Sequence, residues 1–130
     1  MSTDAYYPTL CATLGLTTGD LAELAGYSRR SAQDAIYGRF DFHKDVREAL
    51  DLLKDDVDVM VDSMVADVEA GCSAIFVYRT NEDLRAHFRE WPARGKAAGG
   101  FVGPHRVAAM AARDMLDEDG IEVDLLFGPE

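Results

Sequence analysis

Apolar and polar positions divide the chain into a helical first half and a mixed second half. The clearest pattern lies in the middle. Val46, Leu50, Leu53, Val57, Met60, Met64 and Val68 advance by steps of four and three. That is the repeat of one helix face and is close to a heptad seam. The spacing predicts a long helix over about 43–70, ended by Gly71, with most of its aspartates between the apolar positions as a solvated face. A seam this short is near the minimum for a coiled coil, so it suits burial within its own domain or pairing with a second copy.

Upstream, the apolar positions are cut into short pieces by turn and cap residues. Residues 1–8 read as a lead-in ending at Pro8, a residue suited to a first helical turn, and Thr9–Leu14 as a short helix stopped by Gly15. Thr17 precedes Asp20 by three positions, a capping-box-like start for a helix Thr18–Ala25 that Gly26 breaks. Ser28 is a second N-cap and opens a helix to about Tyr37, closed by Gly38.

Downstream, the period changes. Ser73–Tyr78 is β-branched and aromatic and reads as a strand. Thr80 with Asp83 starts a helix to about Trp91, stopped by Pro92, and a loop of small residues follows to Gly100. Phe101 and Val102 read as a short extended piece. Pro104 then opens a helix to about Leu116, with Val107, Ala108, Met110, Ala111 and Met115 as its expected buried positions. Asp117–Gly120 is a turn, and Ile121–Phe127 a final strand. The expected fold is α+β and mostly α: a helical head over 1–42, a connecting helix over 43–71, and a β-α-α-β unit over 72–130. Two strands make a marginal sheet alone, so the last unit is expected to dimerise, with Ile75, Val77, Phe88, Trp91, Val123 and Leu125 as candidate contacts. Phe88 and Trp91 suit either a dimer anchor or ordinary packing of their helix.

Composition narrows the function classes. The chain has 130 residues, 48% of them apolar, enough for a packed core and too many for wholesale disorder. No apolar run approaches a membrane span, and the first residues lack the basic start and apolar stretch of a secretory signal. Two cysteines without a CxxC spacing argue against a disulfide scaffold or a zinc module and fit a reduced cytoplasmic compartment. The formal net charge is -11, which disfavours a non-specific polyanion binder. The charge is uneven, however. Residues 26–47 carry Arg29, Arg30, Arg39, Lys44 and Arg47 against Asp34, Asp41 and Asp45, whereas Lys54 stands alone among eight acidic residues over 48–69. A second positive window spans 79–106, and acids dominate again from 107 onward.

The locally basic window coincides with the strongest motif. Leu21 to Gly38 has the form of a helix-turn-helix, two helices joined by a short turn. Such a crossing needs small residues where the helices touch, supplied by Ala22 and Ala25. Gly26 ends the first helix, Tyr27 covers the turn, and Ser28 caps the second, whose inward positions are Ala32, Ala35 and Ile36. Arg29, Arg30, Ser31, Gln33, Asp34 and Tyr37 then point away from the core. Arg grips guanine and Gln grips adenine in bidentate fashion, so this face carries base-reading chemistry. The bland alternative is an αα-hairpin with an exposed polar face.

With these residues in view, positions 10 to about 40 resemble the Cro/phage-repressor type of helix-turn-helix, with Leu21-Ala22, Gly26, Ser28 and Gly38 in the standard places. The order of elements over about 10–127 is also similar to the anti-CRISPR-associated and YdiL-like autorepressors. The resemblance implies a homodimer, formed by the C-terminal unit, that represses its own operon at an inverted repeat of double-stranded DNA. It implies base contacts from Arg29, Arg30, Ser31 and Gln33, and phosphate contacts from Ser28, Tyr37, Arg39 and Lys44, which position the duplex without specifying sequence. Thr17, Thr18 and Asp34 complete the expected DNA-facing set.

The remaining chemistry-bearing residues form no constellation. His43, His87 and His105 are scattered, and nothing pairs them with a nucleophile or a metal-ligand spacing. Cys11 and Cys72 read as small apolar fillers. Gly99–Gly103 lacks the Lys and Ser/Thr of a P-loop. No enzyme activity, metal or cofactor is expected. The competing expectation is an acidic protein-binding module for a basic partner, such as an antitoxin or a phage host-takeover protein, with the helix-turn-helix as scaffold.

Overall fold

The computed structural model of the protein describes residues 4–87 and 100–129. Among these, six helices and two strands follow one another as α1 (Tyr6–Thr13), α2 (Thr18–Ala25), α3 (Arg29–Ile36), α4 (Lys44–Glu69), β1 (Ala74–Val77), α5 (Asn81–His87), α6 (Val102–Glu118) and β2 (Asp124–Phe127). The class is α+β and mostly α, with a long central helix and a small parallel sheet. No helix of the described residues is long and apolar enough to cross a membrane.

Helix α1 starts at Tyr6, three residues before the expected Thr9, so Pro8 lies within its first turn, whereas local signals set the ends of α2 and the start of α3. Thr17 Oγ1 accepts from the Asp20 amide at 3.0 Å, and the Asp20 carboxylate accepts from the Thr17 amide at 3.1 Å, a complete capping box. Gly26 ends α2 at φ 70°, a left-handed conformation open to glycine at no steric cost. Ser28 Oγ caps α3 by accepting from the Ser31 amide at 3.1 Å.

The long helix α4 buries Val46, Ala49, Leu50, Leu53, Val57, Val61 and Met64. Its main partner is α6 of the same chain, which fixes the use of the expected seam: it belongs to the chain's own core. Val61 lies deeper than the expected Met60. Along α6 the phase differs from the expectation. Ala108, Ala109, Ala112 and Leu116 are buried with Pro104 and His105, while Met110 and Met115 are exposed. α6 packs chiefly on α4, and small side chains at its buried positions suit helices packed together. Val107 and Ala111 are only half-buried at the edge of that contact. The helix also starts two residues before Pro104, so the Phe101-Val102 piece reduces to Phe101 as its extended N-cap.

Strands β1 and β2 pair in parallel, with Ala74, Ile75, Phe76 and Val77 beside Asp124, Leu125, Leu126 and Phe127. A parallel pair needs a crossover, and the connection through α5 and α6 provides it. The last strand begins at Asp124 rather than Ile121, since Ile121 closes the helix turn by donating to the Leu116 carbonyl at 2.8 Å. Ile75 and Val77 are buried in this chain's core. Phe76 and Leu126 stay exposed on the opposite face. Cys11 is buried, and burial pushes its thiol pKa up to about 12. Cys72, expected as an apolar filler, is exposed, because the chain leaves α4 at Gly71 before β1 re-enters the core.

The head is joined to the C-terminal unit by a shared core and by side-chain bonds. Leu10, Leu21 and Leu24 of the head belong to one apolar cluster with Leu53 of α4 and Phe101 and Leu116 of the last segment. The Asn81 amide donates to Asp20 Oδ1 at 2.8 Å, and its carbonyl oxygen accepts from the Val102 amide at 2.8 Å. Arg85 donates to both carboxylate oxygens of Glu23 at 2.9 and 3.2 Å and to the Gly100 carbonyl at 2.9 Å. The α1–α2 turn touches the start of α6 backbone to backbone: a Cβ on Gly103 would run into the Gly15 carbonyl.

Candidate nucleic-acid interface

The face of α3 turned away from the core is built by helix periodicity. Ala32 and Ala35 are fully buried against α2 and the rest of the core, and Ile36 packs on it half-buried. That fixes Arg29, Arg30 and Gln33 on the opposite side, where all three are exposed. Tyr27 covers the turn from inside, as expected. Its ring meets Phe40 and His43 edge-on, and its hydroxyl accepts from the His43 amide at 3.3 Å. This contact ties the end of the hairpin to the start of α4.

Thr18, Arg29, Arg30, Gln33, Asp34 and Arg39 line one open cleft of about 550 Å³. All six belong to the DNA-facing set expected from the sequence. The cleft runs between the start of α2 and the length of α3. Gly19 makes this possible, since the Arg29 guanidinium lies across it and a side chain there would crowd the arginine. Gly19 was not singled out in the sequence, although a glycine in the first turn of a helix is a signal for close approach by a neighbour.

Three arginines against one aspartate give the cleft a positive balance. Asp34 is committed: Arg39 Nη1 donates to its Oδ1 at 2.6 Å, and the Arg39 guanidinium sits 5.7 Å from the Tyr37 ring centre. The pair fixes Arg39 at one wall and leaves Arg29 and Arg30 as the cationic groups of the other. Their guanidinium forks match a guanine edge or a phosphate, and Gln33, on the next turn, matches an adenine edge.

The other expected residues fall outside the cleft. Thr17 and Ser28 spend their hydroxyl acceptors on helix caps. The Ser28 hydroxyl also donates to Ser31 Oγ at 3.1 Å, which holds half-buried Ser31 at the head of α3. Tyr37 is exposed at 65% beyond the end of α3. Lys44 is exposed at the first turn of α4, in a loose pair with Glu48 at 3.9 Å.

The residues expected at a dimer seam divide differently. Ile75 and Val77 face the chain's own helices, and Val123 and Leu125 are half-buried against the same core. Phe88 and Trp91 lie outside the described residues. On the two strands the exposed apolar side chains among the described residues are instead Phe76 and Leu126 on the opposite face and Phe127 at the end of β2. Periodicity alone fixes that strand residues alternate, but which set points inward is decided by the helices that cover the sheet.

Among the described residues no three His, Cys, Asp or Glu side chains are placed to share a metal ion. His105 is fully buried at the start of α6, 5.9 Å from the Tyr78 ring. Burial, and secondarily the Arg106 charge, lower its pKa from 6.5 to about 4. Compared with protein-family models and with curated proteins, the chain matches none of them.

Proposed function

We propose that this protein is a sequence-specific DNA-binding transcriptional regulator, acting as a homodimer that represses its own operon at an inverted repeat. The observation that supports this most is the cleft on α3, where Arg29, Arg30 and Gln33 stand together on a rigid, doubly capped hairpin. Arg and Gln at one spacing on one helix face are a base-reading set, and Arg39 and Lys44 at its margins suit phosphates. The net charge of -11 then has a role: the acidic surplus over 48–69 and from 107 onward disfavours non-specific DNA contact there and biases binding toward the basic cleft.

A gel shift with the DNA upstream of the protein's own gene, titrated with salt, tests the reading. Replacing Arg29 and Arg30 together by alanine removes two guanidinium contacts at about 1–3 kcal/mol each, a loss of about 30-fold or more in operator affinity. Each phosphate contact contributes about -0.9 to the slope of log K against log salt. Operator affinity unchanged in the double variant sinks the proposal.

A second reading, an acidic module for a basic protein, is favoured by the solvent face of α4, where Asp51, Asp55, Asp58 and Asp62 are all exposed. In that case Arg29 and Arg30 are dispensable, and α4 charge reversals abolish a stoichiometric complex.

A further inference from the structure

The DNA-binding reading requires two copies, and β1 carries the features of the surface where they would meet. The β2 amides of Asp124 and Gly128 donate to the carbonyls of Ser73 and Val77 at 3.2 and 2.8 Å. In a parallel ladder alternate residues of a strand bond to the same neighbour. Ser73, Ile75 and Val77 therefore turn their backbone groups to β2, and Ala74 and Phe76 turn theirs to the opposite edge. Among the described residues the sheet holds β1 and β2, and none of them pairs with that edge. An open strand edge is a template for another strand.

The side chains along this edge are those of an interface. A groove of about 330 Å³ runs beside it, with Met64 and Val68 of α4 as an apolar shelf and Asp67 at the rim. Phe76 and Leu126 are 47% and 46% exposed on the sheet face opposite Ile75 and Val77. Parallel sheets are almost always covered on both faces, so this open apolar face is unusual for a finished assembly.

The charge distribution favours a second copy of this chain as the occupant. Asp67, Glu69 and Asp124 stand at the N-terminal end of the sheet, and Arg79 and Arg106 at the C-terminal end, both near the Phe127 ring. An antiparallel partner strand of the same sequence sets each acidic end beside a basic end. Side-chain size agrees: with a two-fold axis through Ile75, Ala74 of one copy lies opposite Phe76 of the other, small against large. The outward N–H and C=O groups of both residues are then used. Arg79 comes opposite Gly71, around which there is open space for a side chain.

We infer that two copies pair through the free edges of β1, antiparallel about Ile75, into a four-stranded sheet of order β2-β1-β1-β2. This rests on the dimeric DNA-binding reading only for its motive, not for its geometry. The interface is isologous, and Phe76 is its central apolar group.

The mass in solution tests it. Wild type is expected at twice the 14.3 kDa of the chain, and Phe76→Asp, a change at a half-exposed position, at the single mass with an unchanged circular dichroism spectrum. Register is read by mixing Ala74→Cys with Phe76→Cys, each carrying Cys72→Ser, and oxidising. Opposed residues of an antiparallel hydrogen-bonded pair lie about 5.5 Å apart between Cα atoms, within reach of a disulfide. A 74–76 disulfide in excess of 74–74 and 76–76 links supports the pairing, and its absence overturns the register. A wild-type monomer overturns the inference and leaves the edge to an extended peptide of another protein. A Phe76→Asp dimer assigns the second copy to another surface. If Phe76→Asp is monomeric but wild type fails to retard the upstream DNA, the edge pairing stands and the DNA reading falls. If wild type retards DNA and Phe76→Asp keeps the double mass, the reverse holds.

Discussion

The α2–α3 hairpin and the β1–β2 pair are the two smallest units of this protein, and they are held together by opposite means. The hairpin is bounded by groups close in sequence: Thr17 with Asp20, Gly26, and Ser28 with Ser31. The strands lie about fifty residues apart and meet only because α6 carries the chain back along α4. Their exposed surfaces differ in the same sense. The hairpin presents arginines and a glutamine, whereas the strands present Phe76 and Leu126. A unit set by local bonds can keep its outer face polar, since its geometry does not depend on covering that face. A two-stranded sheet gains little from its own ladder and relies on apolar cover.

Truncation in the core beneath the strands should therefore cost more than loss of a cap in the hairpin. Leu116→Ala removes a side chain that is 1% exposed, and a decrease of about 2–5 kcal/mol in unfolding free energy is expected from denaturant titration. A cost no larger than that of a cap would remove the contrast.

Acidification should act through the same half of the molecule. His105 has a folded pKa of about 4, below its unfolded value of 6.5, so the unfolded chain takes up the proton first. Its contribution is complete above about pH 7, is lost as pH falls through the window from 6.5 to 4, and is flat below it. At 1.36 kcal/mol per pKa unit the loss is at most about 3 kcal/mol. Comparing the pH dependence of wild type and His105→Gln isolates it from the carboxylates. An equal slope in both proteins over this window assigns the loss to other groups.

The junction between the two regions is next. Gly103→Ala forces the start of α6 away from the Gly15 carbonyl, at a cost of about 1–3 kcal/mol. Hydrogen exchange should show the α1–α2 turn and the start of α6 opening together, while α3 stays protected. Faster exchange in α3 alone would mean that the strain travels into the hairpin.

The smallest effect belongs to the cap. Ser28→Ala should cost about 1 kcal/mol, since the Ser31 amide then loses its acceptor. Water reaches this exposed helix end and softens the loss. A cost as large as that of Leu116→Ala would make the hairpin as dependent on one group as the sheet is on its cover.

The same distinction explains what could be read in advance. The expected bounds of α2 coincide with the observed Thr18–Ala25, and those of α4 fall within about one residue at each end. Caps and breakers act over three or four residues and leave their mark in the sequence. The α3 residues of the cleft, Arg29, Arg30, Gln33 and Asp34, were legible for the same reason, because once Ala32 and Ala35 are taken as inward, helix periodicity places α3's outer face, whereas Thr18 and Arg39 lie outside α3 and were expected only from the resemblance. The α6 face was not legible. Met110 and Met115 are larger and more apolar than alanine, yet Ala108, Ala109 and Ala112 are the buried positions of the helix that packs on α4. Nor could the sequence show Asn81 bridging Asp20 to Val102, or Arg85 gripping Glu23, since neither pair has a spacing rule.

By itself, then, the amino-acid order determined the ends of α2 and α4, the capped hairpin with its basic outer face, and the acidic face of the long helix, all products of neighbours within a few residues. Only the tertiary structure decided that the strands run parallel, that Ile75 and Val77 turn inward and Phe76 outward, and that the head shares its core with the last segment. Those choices depend on which surfaces meet across fifty or more residues, where shape and distance select among side chains that the local pattern leaves equivalent.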